Sequence, residues 1–241
     1  MKLEVCVDTI AGLNAAVAGG ADRIELCSCL AMGGLTPSVG LMKLATKAPI
    51  PVYAMIRPRV GDFIFSSQEV DLMKHEIDAV HNAKLAGVVL GANLQTGGLD
   101  TNLLKTLIEH AEGLGMTLHR AIDLAPDLIE ATHAAVELGF ERILSSGGAF
   151  KAIDGIENLV AMHKAAAGRL SVMPGSGVNV QTAPQILQAA EFTELHAGCS
   201  APYTQDQRLL DFGFENAGAK QTDEQLVRSL KALLQNHSAR K

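Results

Sequence analysis

The 241-residue chain has no tryptophan, only two tyrosines and only seven phenylalanines. So sparse an aromatic content leaves no interleaving of aromatic and basic side chains of the kind that stacks single-stranded nucleic acid. Basic charge is also short, with 20 Lys and Arg against 26 Asp and Glu, and it forms no block. Neither nucleic acid nor an anionic membrane surface is therefore an expected partner. No run approaches the roughly 18 apolar residues of a membrane span, and no charged-then-apolar leader opens the sequence; a soluble, cytoplasmic protein is expected. The four cysteines, Cys6, Cys27, Cys29 and Cys199, contain no C-x-x-C pair. They are too few for a secreted disulfide framework in a chain of this length, so reduced thiols are expected. Low-complexity tracts and Gly/Ser linkers are missing as well, which leaves no place to divide the chain and implies one domain over 1–241.

A regular alternation fills the chain instead. Eight short apolar runs each end in polar or glycine-rich residues: LEVCVD from Leu3, ADRIELC from Ala21, VYAMIRP from Val52, GVVLGA from Gly87, MTLHRAID from Met116, ERILSSG from Glu141, LSVMPGSG from Leu170 and ELHAGCS from Glu194. A stretch with helical periodicity follows each. Strands alternating with helices build a parallel sheet, and eight such units in about 250 residues is the usual size of a closed TIM (β/α)8 barrel. Helix starts are expected at Thr36 and Pro37, at a Ser66/Glu69 capping box, at Asp100, and at Thr222 with Gln225. The last of these precedes Leu226, Leu230, Leu233 and Leu234, a stripe fit to cover the barrel wall or a neighbouring subunit. Gly19, Gly87, Gly115, Gly139 and Gly168 fall where helices are expected to end in left-handed backbone. Residues 202–221 break the rhythm, so 202–241 reads as an irregular segment plus a C-terminal helix.

Side chains alternate across a strand, so parity divides each run into a set facing the helices and a set facing the barrel interior. The apolar set Leu3, Val5, Val7, Ile24 and Leu26 leaves Glu4, Cys6, Asp8, Arg23, Glu25 and Cys27 inside. Tyr53, Met55, Arg57, Thr117, His119, Ala121, Glu194 and His196 join them by the same rule. Ordinary barrels fill this space largely with Val, Ile and Leu. Buried charges cost several kcal/mol each unless paired, so Glu4 and Glu194 are expected to meet Arg23 and Arg142. Barrel chemistry sits where strands end, which points to Asp8, Glu25, Cys27, Arg57, Arg59, His119 and His196.

Among these, Glu25 and His119 suit a general acid and base, with Arg57 and Arg59 holding an anionic group. Pro174–Gly177 and Gly198–Ser200 occupy the two loops that commonly bind phosphate in such barrels, making Gly175 and Gly177 candidate anion holders. Glycine also serves simply to turn a strand tightly into a helix. Cys6 and Cys27 share inward parity on adjacent strands about 4.8 Å apart. Two soft thiolates suit Cu(I), although burial as a small apolar side chain is the commoner reason for a free cysteine.

Taken in order, LEVCVD, ADRIELC, GGLTPS (Gly33–Ser38), MIRPR (Met55–Arg59), GDF (Gly61–Phe63), HRA with Asp123, and ELH resemble the CutC family from about residue 3 to residue 200. The resemblance implies a cytosolic, usually oligomeric TIM barrel, with a dimer favoured, assigned to copper homeostasis and copper binding. It places the family's copper thiols on Cys6 and Cys27, and its polar pocket on Glu25, Arg57, Arg59, Asp62, His119, Arg120, Asp123 and His196. Val60 and Phe65 depart from the family pattern, and ELHAGCSA carries extra residues that leave Cys199 and Ser200 without clear equivalents. Three readings are thus expected to compete: a copper-binding protein, a lyase- or epimerase-like enzyme acting on a small phosphorylated or carboxylated substrate, and a non-catalytic scaffold whose C-terminal helix binds partners. The ligand is a small anion or a copper ion in the first two.

Overall fold

The computed structural model describes residues 1–239, so the last two residues of the expected domain lie outside it. Each apolar run becomes a strand: β1 (Lys2–Val7), β2 (Arg23–Leu26), β3 (Val52–Met55), β4 (Gly87–Leu90), β5 (Gly115–Leu118), β6 (Arg142–Ser145), β7 (Ser171–Pro174) and β8 (Glu194–Ala197). Parallel ladders run in the order β7-β6-β5-β4-β3-β2-β1-β8. Among the described residues only the β7–β8 seam lacks a ladder; the Ser171 and Thr193 hydroxyls meet across it at 3.2 Å. The result is a nearly closed TIM barrel. Seven helices cover it between the strands: α1 (Ile10–Gly19), α2 (Val39–Ala45), α3 (Ser67–Ala83), α4 (Thr101–His110), α5 (Leu128–Glu137), α6 (Ile156–Ala166) and α7 (Ala183–Ala189).

The outward set packs as expected: Leu3, Val5, Ile24, Leu26, Ile56, Leu118 and Leu195 are all fully buried between strands and helices. Inside, the lower barrel is held by ions. Arg23 pairs with Glu4 and reaches Glu194 at 2.5 Å, and Arg142 Nε lies 3.6 Å from Glu194. The Tyr53 ring lies between the two guanidiniums, 5.7 Å from Arg23 and 4.7 Å from Arg142. That ring explains two glycines. A Cβ on Gly87 would stand 2.3 Å from Tyr53 Cε1, and one on Gly115 would stand 2.2 Å from its hydroxyl. Gly87 and Gly115 therefore open strands beneath an aromatic ring; left-handed backbone belongs to Gly139 and Gly168, and to Gly20 in place of Gly19.

Local signals hold where the cap competes with nothing else. Ser66 and Glu69 form the full capping box of α3, and the Asp100 side chain accepts from Leu103 N–H at 3.0 Å. Two expected caps move. Ser38, not Thr36, caps α2, because Thr36 Oγ1 accepts from Arg57 N–H and donates to Glu76. At the C-terminus Asp223 accepts from Leu226 N–H, because Thr222 is drawn into a strand. That strand, β10 (Lys220–Thr222), pairs antiparallel with β9 (Ser200–Pro202) and frames the short α8 (Gln207–Asp211). The last helix, α9 (Glu224–Ala239), buries Val227, Leu230 and Leu234 against α1 and leaves Leu226 half exposed. Its close approach rests on Gly19, where a Cβ would meet Val227 Cβ at 2.5 Å. No helix of the described residues is long and apolar enough to cross a membrane.

Candidate functional site

At the C-terminal ends of the strands a cavity of about 290 Å³ opens, with Cys6, Glu25, Arg57, His119, Arg120 and His196 among its walls. Apolar lining comes from Leu30, Met55, Phe63 and Leu144, and Ser176, Gly177 and Gly198 close it from the β7 and β8 loops. Five strands thus send side chains to one mouth. The inward parity of β1, β2 and β8 does this directly, since Cys6 registers with Glu25 and Glu4 registers with both Arg23 and His196.

The most compact group is Cys6, Glu25 and His196, whose ligand atoms all lie within 4.8 Å of one another. Glu4 orients it from below: its carboxylate sits 2.8 Å from His196 Nδ1. Burial alone would raise the Glu4 pKa, but the His196 hydrogen bond and the Arg23 charge outweigh it and hold the carboxyl down to about 2. Glu4 is therefore ionised, takes the Nδ1 proton as its bond, and leaves Nε2 facing Glu25, 3.8 Å from Oε2. Burial drives the Glu25 pKa up, with His196 opposing and Glu4 adding. Burial also disfavours charge on His196, yet Glu25, Cys6 and Glu4 together raise it well above the ordinary value. Glu25 and His196 thus titrate as a pair. Glu25 Oε1 is buried with no hydrogen-bond partner among the described residues.

Cys27 is placed differently from Cys6. It is fully buried beside Tyr53, Met55 and Val89, and its thiol points at Glu25 Oε2 from 3.6 Å. Burial, followed by Glu25 and Cys6, pushes its pKa well above that of a free thiol. The compact group thus has one thiol, one imidazole and one carboxylate, and Cys27, expected beside Cys6, stands behind the carboxylate. No disulfide joins the four cysteines.

Across the cavity lies His119, expected as an acid or base. Its Nδ1 accepts the Ala121 N–H at 3.2 Å, which fixes the proton on Nε2. Burial and the nearby Arg57 charge lower its pKa to about 3. It is a neutral N–H donor at physiological pH, and Nε2 is buried without a partner. Arg57 is bound by carbonyls: Nη1 donates to Met32 and Gly34, and Nη2 to Gly61. No carboxylate pairs with it among the described residues, and its Nε is also buried and unpartnered. The ring of Phe63 packs against both groups, 4.8 Å from the His119 ring and 4.9 Å from the Arg57 guanidinium.

The remaining candidates brace loops. Arg59 is outside the cavity wall, tied to Glu69, Asp62 and the Ile64 carbonyl. Asp62 is exposed and serves that clasp. Asp123 accepts from Ser145, Ser146 and Gly148 and pairs with Arg120, so Arg120 reaches the cavity with its charge already matched. Gly175 is glycine for packing: a Cβ there would stand 2.4 Å from Leu144 Cδ1 and 3.2 Å from His196 Cβ. Gly177, at φ +72°, does line the cavity. The site roles of two contributors are not legible in the sequence. Glu4 is an ion-pair member on sequence grounds, and its hold on His196 needs the β1–β8 adjacency. Phe63 lies in an irregular loop, where its only signal is an aromatic beside Gly61 and Asp62.

The profile of the CutC family matches residues 1–201. A protein of Agrobacterium fabrum named as a family protein CutC is 52% identical over 239 residues, covering 98% of this chain and 95% of its own. The crystal structure of a candidate copper homeostasis protein, CutC from Streptococcus agalactiae, superposes with a TM-score of 0.78 at 30% identity, covering 82% of this chain and 98% of that one. A thiamine phosphate pyrophosphorylase from Pyrococcus furiosus shares only the fold, with a TM-score of 0.60 at 14% identity over 98% of this chain and 96% of that one.

Proposed function

Because the chain belongs to the CutC family, we propose that it is a cytoplasmic copper-binding protein of the homeostasis type, and that it takes the ion at Cys6, Glu25 and His196. The observation that carries this reading is the grouping within 4.8 Å of a thiol, an imidazole and a carboxylate, the last of which also has one buried oxygen without a partner among the described residues. Donors about 2.0–2.3 Å from a tetrahedral metal stand roughly 3.5 Å apart, so closing on an ion takes a movement of about 1 Å. A thiolate and an imidazole suit copper. Glu4 supplies the outer carboxylate that typically fixes a ligating histidine in one tautomer. Cu(I) rests chiefly on Cys6 Sγ and His196 Nε2, with the harder Glu25 oxygen as third donor. Four free thiols fit a reducing compartment.

Competition of anaerobic Cu(I) against a chelator tests this. Cys6→Ser and His196→Gln are each expected to weaken copper by at least about 100-fold. Glu4→Gln should cost about 10- to 100-fold, as for other outer partners of a ligating histidine. Cys27→Ser should stay within a few-fold of wild type. Equal affinity for wild type and Cys6→Ser would overturn the assignment.

A further inference from the structure

Among the described residues, three of the six buried side-chain polar atoms without a partner belong to residues of this one cavity: Glu25 Oε1, Arg57 Nε and His119 Nε2. Glu25 is accounted for by the group around Cys6. The other two are donors, and copper has no use for donors. A buried N–H left unpaired costs as much as a lost hydrogen bond, and more when charged. Both residues pack against Phe63, which puts them on one wall of the cavity. Among the described residues Arg57 is the one arginine of the cavity wall without a carboxylate: Arg120 is matched by Asp123, while Arg59 is matched by Asp62 and Glu69 outside the wall. A guanidinium fixed by three carbonyls attracts an anion, and the neutral His119 N–H adds direction without adding charge.

We propose that Arg57 Nε and His119 Nε2 form a subsite for the carboxylate of a small organic monoanion, one oxygen to each donor, with Phe63 as its cover. Three features select this class. One uncompensated positive charge matches one negative charge, whereas a phosphate dianion would leave an excess beside Glu25. Two single donors fit the two oxygens of a carboxylate. A volume of about 290 Å³ with Leu30, Met55, Phe63 and Leu144 in its walls admits a body of only a few apolar carbons. The far end of such a ligand lies toward Cys6, Glu25 and His196. The subsite shares the cavity with the copper group but does not depend on the metal.

The test uses metal-free full-length protein and saturation-transfer NMR titration with butyrate, butyramide and inorganic phosphate. Butyrate is expected to bind wild type, with butyramide at least about 10-fold weaker and phosphate no tighter than butyrate. Arg57→Gln and His119→Phe should each weaken butyrate by about 10- to 100-fold, the worth of a hydrogen bond to a charged group. Arg57→Lys guards against misfolding, because it keeps the charge and is expected to recover part of the loss. Cys6→Ser should bind butyrate like wild type while losing copper, which separates this subsite from the metal reading. No butyrate binding, equal binding by Arg57→Gln, or tight phosphate binding in place of butyrate would each overturn the proposal.

Discussion

Replacing Arg23 with methionine removes one cation from between two buried carboxylates while keeping most of the side-chain volume. Arg23 is 4% exposed, Glu4 is fully buried, and Glu194 is 7% exposed at its side chain. Breaking a buried pair by deleting one partner costs about 3–5 kcal/mol, because the remaining charge stays desolvated. The Glu4 carboxyl gives a second measure. It falls from 4.5 to about 2 in the fold, and at about 1.4 kcal/mol per unit the groups that hold it ionised contribute about 3 kcal/mol. For a chain of this size 1 kcal/mol moves Tm by about 2–4 °C, so a fall of about 6–20 °C is expected at pH 7 by calorimetry. The pH dependence carries a sign. In the wild type the folded pKa of Glu4 lies below its unfolded value, so its stabilisation is complete above about pH 4.5 and is lost as pH falls toward 2. In the variant the burial of Glu4 is less opposed and its folded pKa rises. The variant's deficit is then greatest at pH 7 and shrinks toward pH 5, as the carboxyl takes up a proton. A Tm loss below about 3 °C at pH 7, or one equal at pH 5 and pH 7, would refute the reasoning.

Two further outcomes follow from the interior. With its pKa at about 3, the His119 ring should show the Nε2–H tautomer in long-range 1H–15N spectra and should not titrate between pH 8 and about pH 4. Its folded pKa lies below the unfolded value, so stability should fall as pH drops from about 6.5 toward 3; a ring that titrates near 6.5 contradicts the burial argument. Gly115→Ala drives a methyl against the Tyr53 hydroxyl and should cost about 1–3 kcal/mol in urea unfolding, with part of the loss relieved in the Tyr53→Phe background. Additive costs in the double variant would show that the ring is not the obstacle.

Both candidate sites mix residues legible in the sequence with residues that were not. Cys6, Glu25, Arg57, His119 and His196 could be placed at the mouth from parity alone, because alternation is a local property of each strand and the barrel repeats it. Their roles could not. Arg57 and Arg59 are two residues apart and chemically identical, yet one is bound by carbonyls and the other by Glu69 and Asp62, depending on which loop folds over each. Asp62, Asp123 and Arg120 entered the expected pocket through the family resemblance, and a shared motif does not tell a charge that meets a ligand from one that clasps a turn.

The amino-acid order by itself determined the barrel and its two faces: apolar runs with period two, separated by helical stretches with their own caps, leave little else for the chain to build. Beyond the Arg23 and Arg142 ion pairs, which interior side chains meet was decided by tertiary structure. His196 meets Glu4 from 192 positions away, Cys6 rather than Cys27 joins Glu25 and His196 in one compact group, and Tyr53 dictates glycine at Gly87 and Gly115. Such contacts depend on strand stagger and on which rotamer the packed interior admits, and those quantities exist only once the eight strands have met.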